Sequence, residues 1–527
     1  MIQILYNGII HSNVAKIECN SAIAIANGII LATGSDDEIL SNYRHKAVLT
    51  NLEKRTVLPG FTDSHIHLLR YAQNLQRVDC ETDSIEECLV RVAEKNKLNL
   101  KGKWILGHGW NQNLWNGAYG NKSMLDSITR DPVYLTHKSL HASWANSKAL
   151  EIANITKESS NPAGGAIQKD GSGEPTGILF EKAMSLVEDK IPNPSPSDNI
   201  AAIKQAQLKL NQLGFTGVHD FDAMDCFDAL ETMLSESQLC LRVVKGLPLV
   251  CLDEVIKLSL QTGFGDPLLK FGCVKIFADG ALGPQTAAML RPYESTSDNM
   301  GMLLLDEAEI IEIGKKAAKA GLALAIHAIG DKANQVSIKA LSEVISFSIA
   351  NHLRPLRHRI EHLQLLAPPD LENIKNSGII ASMQPYHMIS DQMMAERYWG
   401  SRNEFAYAWK SVLDSGTVLI FGSDAPVESP DPFPAIQAAM TRRPIGYLNP
   451  DGWYPQQKLS FIDALLAYTM GPAYAAGCEK VIGKLEVNYE ADLIILDENP
   501  FFIQPDRLLE IKISATMVRG KWVWKGF

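Results

Sequence analysis

The sequence predicts an α/β fold in which helices alternate with parallel strands, beside a smaller β domain built from both ends of the chain. Two observations support this fold class. A pattern of helix, glycine and apolar strand recurs four times in the middle of the chain, and short strand-like segments broken by turns occupy both ends. Helices that end at glycine and precede nearly continuous apolar strands are typical of units with buried parallel strands.

The two ends of the chain resemble each other in pattern. Residues 23–35 place the pair Asn27-Gly28 between two apolar runs, which is a strong signal for a β-hairpin. Near the other end, the segment KLEVNYEADLIILDENP again gives short apolar stretches that stop at polar residues and Pro. The sequence therefore predicts one composite β domain, formed by residues 1–57 and 478–527.

The central segment, residues 58–477, has the rhythm of a (β/α)8 barrel. Each repeat consists of a helical pattern, a glycine and an apolar strand that ends in polar residues. The four glycines are Gly214, Gly321, Gly378 and Gly416. In a (β/α)8 barrel the chemistry lies where the strands end, on the C-terminal face.

Residues of about 100–185 break this rhythm and are predicted to form an insertion. The insertion holds four of the nine tryptophans, Trp104, Trp110, Trp115 and Trp144. These side chains either line a pocket for an apolar ligand or pack the insertion onto the barrel. A hairpin is predicted at Lys169-Asp170-Gly171, because a phosphate-binding loop would need a strand before it and a helix after it.

Composition excludes several classes of function. Fifty Lys and Arg against sixty Asp and Glu give a net charge of −10, which disfavours a nucleic-acid partner. The first residues have no basic segment before an apolar core, and no apolar run approaches the roughly 18 residues of a membrane span. We therefore expect a cytoplasmic protein without a membrane partner that acts on a small molecule, with a homo-oligomer left open. The eight scattered cysteines are expected to be reduced.

Polar residues at the strand ends predict a metal site. His65 and His67 lie two apart on an extended segment, so both imidazoles point to one face. The residues late in four further strands are Lys275, His327, His362 and Asp424. Singly, each has a structural alternative: a core histidine, a histidine facing solvent, or a carboxylate that caps a helix. Together they predict metal ligands around one barrel mouth.

Lys275 is the unusual member of this set. A protonated amine repels a metal ion, so the lysine must be deprotonated or modified. Burial in an apolar strand favours the neutral amine, which can add carbon dioxide to form a carbamate that bridges two cations. The alternative is a lysine that forms a salt bridge with Asp279.

Five motifs carry a resemblance to a known family. HIH after LPGF, VKIFADG, HAIGD, RIEH and GSDAP resemble the amidohydrolase superfamily, most closely its YtcJ-like branch, which contains N-substituted formamide deformylase. The resemblance implies a distorted (β/α)8 TIM barrel beside a small β-sandwich composed of both chain termini. It also implies a centre of one or two metal ions and hydrolysis of a non-peptide C–N bond by metal-activated hydroxide.

The resemblance also assigns roles to residues. His65, His67 and Asp424 would hold the more buried metal, and His327 with His362 the second, with carboxylated Lys275 between them. Asp424 would take a proton from water and return it to the leaving amine. Nitrogen and oxygen ligands suit zinc best, with iron, manganese or cobalt as alternatives.

Further residues are candidates for substrate contact or for orienting the ligands. His141 and His387 could contact substrate or assist the leaving group as catalytic residues. Asp331 and Glu361 are expected to orient neighbouring histidines, and His219 to pack in the core or support a ligand.

The loop after VKIFADG departs from the family pattern. It carries Ala281-Leu282-Gly283-Pro284-Gln285, without the arginine that is common there, which argues against a carboxylate on the substrate. Two alternative functions stay open: an ester or lactone hydrolase on the same barrel, and a binding protein of this fold that has lost its metal.

Overall fold

The computed structural model divides into two compact units. It describes residues 2–16, 18–294, 296–375, 377–446 and 451–527. Unit 1 comprises Met1–Tyr71 and Ile203–Phe527, and unit 2 comprises Ala72–Ala202. The strands of the described residues are β1 (Ile2–Tyr6), β2 (Ile9–Asn13), β3 (Glu18–Asn20), β4 (Ala22–Ala26), β5 (Ile29–Gly34), β6 (Ala47–Asn51), β7 (Thr56–Pro59), β8 (Phe61–Ile66), β9 (Val78–Asp79), β10 (Ile105–Trp110), β11 (Val133–His137), β12 (Ala142–Ala145), β13 (Gly165–Lys169), β14 (Pro175–Glu181), β15 (Phe215–Asp220), β16 (Arg242–Pro248), β17 (Gly265–Asp266), β18 (Leu269–Phe277), β19 (Leu324–Ala328), β20 (Arg359–His362), β21 (Ile380–Met383), β22 (Leu419–Phe421), β23 (Leu493–Leu496), β24 (Ile513–Val518) and β25 (Lys521–Lys525).

The described residues also form α-helices. In chain order they are α1 (Asp36–Tyr43), α2 (Leu68–Asn74), α3 (Ile85–Leu98), α4 (Lys122–Asp126), α5 (Ser147–Ile152), α6 (Ser185–Glu188), α7 (Pro196–Gln212), α8 (Met224–Ser235), α9 (Leu252–Lys257), α10 (Glu307–Lys319), α11 (Asp331–Ala350), α12 (Pro368–Lys375), α13 (Pro385–Trp399), α14 (Trp409–Asp414), α15 (Pro432–Thr441), α16 (Phe461–Tyr468) and α17 (Met470–Ala475).

Eight parallel strands of unit 1 form a nearly closed barrel. Their order around the sheet is β8, β15, β16, β18, β19, β20, β21 and β22, and β22 lies next to β8. Every residue of β8, β15 and β21 is buried, as expected for strands covered on both faces. The α/β barrel predicted from the sequence is confirmed.

The recurring glycines end helices of this barrel. Gly214, Gly321, Gly378 and Gly416 have φ angles of 87°, 75°, 74° and 84°, a left-handed conformation that glycine adopts without a steric cost. They follow α7, α10, α12 and α14, and a strand of the barrel begins within three residues of each glycine. The predicted pattern of helix, glycine and strand is therefore confirmed in all four places.

Two sheets from both ends of the chain share one apolar core. A four-stranded sheet has the order β5, β4, β1, β6, and a six-stranded sheet has the order β25, β24, β23, β7, β2, β3. The core between them includes Leu5 and Ile25 from the first sheet and Ile495 and Met517 from the second. Asn27-Gly28 forms the predicted hairpin turn between β4 and β5. The domain boundaries at residues 57 and 478 stay a prediction.

Unit 2 is built on a mixed sheet of six strands in the order β13, β14, β12, β11, β10, β9. The hairpin predicted at Lys169-Asp170-Gly171 joins β13 to β14, which pair antiparallel. Trp110, Trp115 and Trp144 are almost fully buried in the core of this unit. These three rings fill the interior of unit 2 itself and do not line an open pocket, while packing of the insertion onto the barrel stays a prediction.

The structure bears on two expectations from the sequence, which concern membrane-spanning helices and disulfide bonds. Within the described parts of the chain, no helix combines the length and apolar character needed to cross a membrane. All eight cysteines lie in described ranges, and none of them forms a disulfide.

Candidate metal centre

The carboxyl ends of the barrel strands bring the predicted ligands together. His65 lies on β8, Lys275 on β18 and His327 on β19, while His362 is the last residue of β20. Asp424 follows β22. His362 and Asp424 have φ angles of 72° and 60°, a conformation that is uncommon outside glycine and is concentrated at functional sites.

Backbone and side-chain contacts join the first and last barrel strands at this point. The amide of Asp424 donates to the carbonyl of His65 at 2.7 Å, and the amide of His67 donates to the carbonyl of Ala425 at 2.9 Å. The carboxylate of Asp63 accepts from the amide of His65 and from both the amide and the hydroxyl of Ser423. These bonds fix Asp424 beside His65 of β8 and beside His67, which directly follows that strand. Sequence reasoning did not single out Asp63.

Asp424 lies between three imidazoles. Its Oδ1 is 3.5 Å from Nε2 of both His65 and His67, and its Oδ2 is 3.7 Å from Nε2 of His387. Two groups of ligand atoms each fit within 4.8 Å: His65, His67 and Asp424, and His362, His387 and Asp424. The carboxylate thus belongs to both groups.

His327 and His362 lie close to these groups. The ring centroid of His362 is 4.9 Å from that of His65 and 4.6 Å from that of His327. Nε2 of His327 is 2.9 Å from the carbonyl oxygen of Gly280. His327 thus lies beside His362, but its ligand atoms belong to neither group with Asp424, and its predicted ligand role stays a prediction.

Polar side chains orient three of the imidazoles. Nδ1 of His65 donates to Glu361 at 2.6 Å, Nδ1 of His67 to Asp222 at 3.2 Å, and Nδ1 of His362 to Gln384 at 2.9 Å. Each bond leaves Nε2 of the ring available to a ligand, which is the usual arrangement behind metal-binding histidines. Glu361 has the orienting position that the sequence suggested. Asp331 instead accepts from the amide of Leu290.

The surroundings of His65, His327 and His362 favour the neutral imidazole. Burial is the largest cause that lowers the pKa of His65 and His362 well below the ordinary value, and the charge of Lys275 acts in the same direction. The same two causes lower the pKa of His327 to about 4. A neutral imidazole is the form that binds a metal ion.

Arg359 and Glu361 form a buried ion pair behind the histidines. Burial is the largest cause and would raise the pKa of Glu361, but the charges of Arg359 and Lys275, with hydrogen bonds from Arg359 and Ser382, together hold it below its ordinary value. Arg359 also donates to Nδ1 of His219 at 2.9 Å and to the carbonyl of Ser64 at 2.6 Å. His219 therefore belongs to the support of the site, which was one of its two predicted roles.

Lys275 is buried between two aromatic rings. Its Nζ lies 4.7 Å from the ring centroid of Phe221 and 5.2 Å from that of Phe277. Burial lowers the pKa of Lys275 to about 8, although the carboxylates of Glu361 and Asp424 act in the opposite direction. At pH 7 roughly a tenth of the amine is then neutral, far more than for a lysine with the ordinary pKa of about 10.4.

The two predicted catalytic histidines have different surroundings. His387 is buried in the first turn of α13, and its Nε2 has no hydrogen-bond partner among the described residues. His141 lies in unit 2, where it is exposed and its Nδ1 is 3.0 Å from Glu181. The catalytic role of either residue stays a prediction.

These residues fit a divalent metal ion. The donor set consists of imidazole nitrogens and a carboxylate, which are ligands that suit zinc and related ions. The partnerless Nε2 of His387 is a buried polar atom that an ion, a water molecule or a substrate would satisfy.

A barrel with imidazoles and a carboxylate gathered at its strand ends is an arrangement found in metal-dependent enzymes. The model of the amidohydrolase family matches residues 49–524. This protein belongs to the amidohydrolase family.

Three relatives and one solved structure are similar along nearly the whole chain. Protein LONG AFTER FAR-RED 3 of Arabidopsis thaliana is 32% identical over 98% of this chain and 91% of its own length. The putative amidohydrolase YtcJ of Bacillus subtilis (strain 168) is 30% identical over the full length of both. N-substituted formamide deformylase of Arthrobacter pascens is 26% identical over 97% of each chain. The crystal structure of an uncharacterized metal-dependent hydrolase from Pyrococcus furiosus has a TM-score of 0.77 and 31% identity, covering 95% of this chain and all of the other.

Proposed function

We propose that this protein hydrolyses the C–N bond of small, largely uncharged N-substituted amides or formamides with an apolar or aromatic group on nitrogen. The observation that carries the proposal is the position of Asp424, whose two oxygens face His65 and His67 on one side and His387 on the other. One carboxylate can therefore serve both a metal ion and a proton transfer. The similarity to N-substituted formamide deformylase supports the choice of bond.

We assign His65, His67 and Asp424 to the more buried ion. His327 and His362, with carboxylated Lys275, are the ligands proposed for a second ion. Zinc suits these nitrogen and oxygen donors best. When bound, such an ion lowers the pKa of water and polarises the scissile carbonyl.

Asp424 is the proposed proton shuttle. Its Oδ2, which faces His387, accepts a proton from the attacking water and then donates it to the leaving nitrogen, so that an amine and a carboxylic acid or formate result. His387 is suited to contact the reacting group. Its Nε2 is buried, lies 3.7 Å from Oδ2 of Asp424, and has no hydrogen-bond partner among the described residues. The carboxylate of Glu361 holds His65 while this occurs.

The apolar character of the substrate is supported by two phenylalanines. The Phe277 ring is 5.1 Å from the His327 ring and nearly half of its side chain is exposed, and the Phe221 ring is 4.5 Å from the His65 ring. Exposed apolar surface beside reacting groups favours an apolar substituent. Gln285, where the family commonly has arginine, removes an anchor for a carboxylate.

A substrate panel tests this proposal. N-benzyl, N-alkyl and carboxylate-bearing formamides and amides are compared by kcat/KM, together with esters of the same acyl and apolar groups. We expect the N-benzyl and N-alkyl compounds to be at least about tenfold better than the anionic ones, since an unpaired buried charge costs more than 1.4 kcal/mol. Asp424→Asn, prepared identically, controls for contaminating hydrolases. A preference for anionic amides, or turnover of the esters alone, would contradict the proposed substrate.

Carboxylation of Lys275 gives a second test. Lys275→Ala is expected to lose at least about 10²-fold in kcat and to regain part of it with added short-chain carboxylates, which replace the missing oxygen ligand. Lys270→Ala, on the same strand but away from the histidines, is the matched control. Unchanged activity of Lys275→Ala, or a loss that no carboxylate relieves, would contradict the carbamate.

A further inference from the structure

A second buried cluster of charged residues lies beside the metal centre. Asp220 ends β15, Asp222 follows it, and Cys226 lies in α8; ligand atoms of these three residues fit within 4.8 Å. Lys245 of β16 is buried among them with no exposed surface. The carboxylates of this cluster and Lys245 take no part in the chemistry proposed above.

The cation of this cluster is the ammonium group of Lys245. Its Nζ is 2.8 Å from Oδ2 of Asp220 and also donates to the backbone carbonyl of Asp222. Burial is the largest cause and opposes the charged form, but the neighbouring acidic groups, Asp220 foremost, together raise the pKa of Lys245 above its ordinary value. Burial likewise raises the pKa of Cys226, so its thiol is neutral. The ammonium group thus balances the charge that a metal ion would otherwise balance here.

The two carboxylates hold the chain that follows His67. Asp220 Oδ1 accepts from the amide of Leu68 at 2.8 Å, and Asp222 Oδ2 accepts from the amides of Leu69 and Arg70 at 2.5 and 3.1 Å. The other oxygen of Asp222 accepts from Nδ1 of His67 at 3.2 Å. The side chain and the following backbone of His67 are therefore fixed by two carboxylates, and Lys245 of the neighbouring strand contacts the carboxylate of Asp220 and the backbone carbonyl of Asp222.

We propose that Lys245 is a positioning residue for the metal centre, which acts through Asp220 and Asp222 to fix the imidazole of His67. This inference rests on the proposed metal site. Without the ammonium group, Asp220 would be a buried carboxylate with no opposite charge. The carboxylates and the segment after His67 would then rearrange, and His67 would lose its fixed orientation.

Metal affinity is the direct test. Apparent dissociation constants for Zn²⁺ are measured by chelator competition for the wild type and for Lys245→Met, which keeps most of the side-chain volume. We expect the dissociation constant to rise about 10–100-fold, the usual cost of losing an outer contact of a ligand. The d–d spectrum of the Co²⁺-loaded variant should change as well, since the His67 ligand moves.

Arg242→Met is the matched control. Arg242 of the same strand forms a buried ion pair with Asp492 and Glu490, and its described polar contacts include no histidine. Both variants should melt at lower temperature without metal. Only Lys245→Met should lose metal affinity, because a loss of general stability does not alter the geometry at His67.

Two additional variants keep the test decisive if Lys245→Met does not fold. The double variant Lys245→Met/Asp220→Asn removes both members of the ion pair, and Asp222→Asn leaves the pair in place while weakening the contact with His67. Both should bind Zn²⁺ at least about tenfold more weakly. If the wild type binds Zn²⁺ and the variants bind it with unchanged affinity, the proposed role of Lys245 is wrong, while the proposed metal site is unaffected. A wild type that binds no divalent metal would overturn the proposed metal site itself.

Discussion

Asp424→Asn is expected to fold and to bind substrate but to turn over roughly 10²–10⁴-fold more slowly. The amide can neither accept the proton of the attacking water nor return a proton to the leaving nitrogen. It still occupies the same volume between the imidazoles of His65, His67 and His387. Steady-state kinetics on an N-substituted formamide give kcat and KM separately, and the loss should fall on kcat.

The control for Asp424→Asn is Asp414→Asn, an exposed carboxylate at the end of α14 that pairs with Lys410. It should leave kcat unchanged. A kcat of Asp424→Asn within a few-fold of the wild type would rule out the proton shuttle.

His65→Ala and His67→Ala are each expected to lose most of the bound metal together with activity. A site with three or four protein ligands cannot lose one of them without a large cost in affinity. That cost should exceed the roughly 10–100-fold expected for outer contacts such as Asp222. Each variant is passed through a gel-filtration column, and its metal content and its kcat/KM are then measured on the same sample.

His45→Ala, an exposed histidine of the N-terminal segment, is the control for these variants. It removes an imidazole without approaching the barrel. Full metal content in both His65→Ala and His67→Ala would contradict the ligand assignment, whatever their activity.

The barrel could be predicted from the sequence because its signals are local. Each helix, glycine and strand repeat is contained in about twenty residues, and the left-handed φ of Gly321 or Gly416 is a property of one position. The strand ends then identified Lys275 and Asp424, since parallel strands bring their carboxyl ends to one face. Spacing and residue type sufficed for these residues.

The sequence suggested an orienting role for Glu361, but the particular pairs of side chains that support the site could not be predicted in the same way. Glu361 contacts His65 across 296 positions of the sequence, and Asp222 contacts His67 across 155. No short motif contains both members of such a pair. Lys245 gave no signal either, because a lysine in a strand is ordinarily read as exposed.

The role of the tryptophans in unit 2 could not be predicted from the sequence either. An apolar ring that lines a pocket and one that fills a core have the same sequence signal, because both avoid water. Only the structure separates the two, and it buries Trp110, Trp115 and Trp144. The aromatic surface next to the candidate site comes instead from Phe221 and Phe277.

Metal content of the purified wild-type protein, followed by chelation and reconstitution, tests the central claim most directly. The account predicts one or two divalent ions per chain, loss of amide hydrolysis when a chelator removes them, and recovery when Zn²⁺ is added back. Full hydrolytic activity in protein stripped of metal, or a wild type that takes up no divalent ion at all, would contradict it.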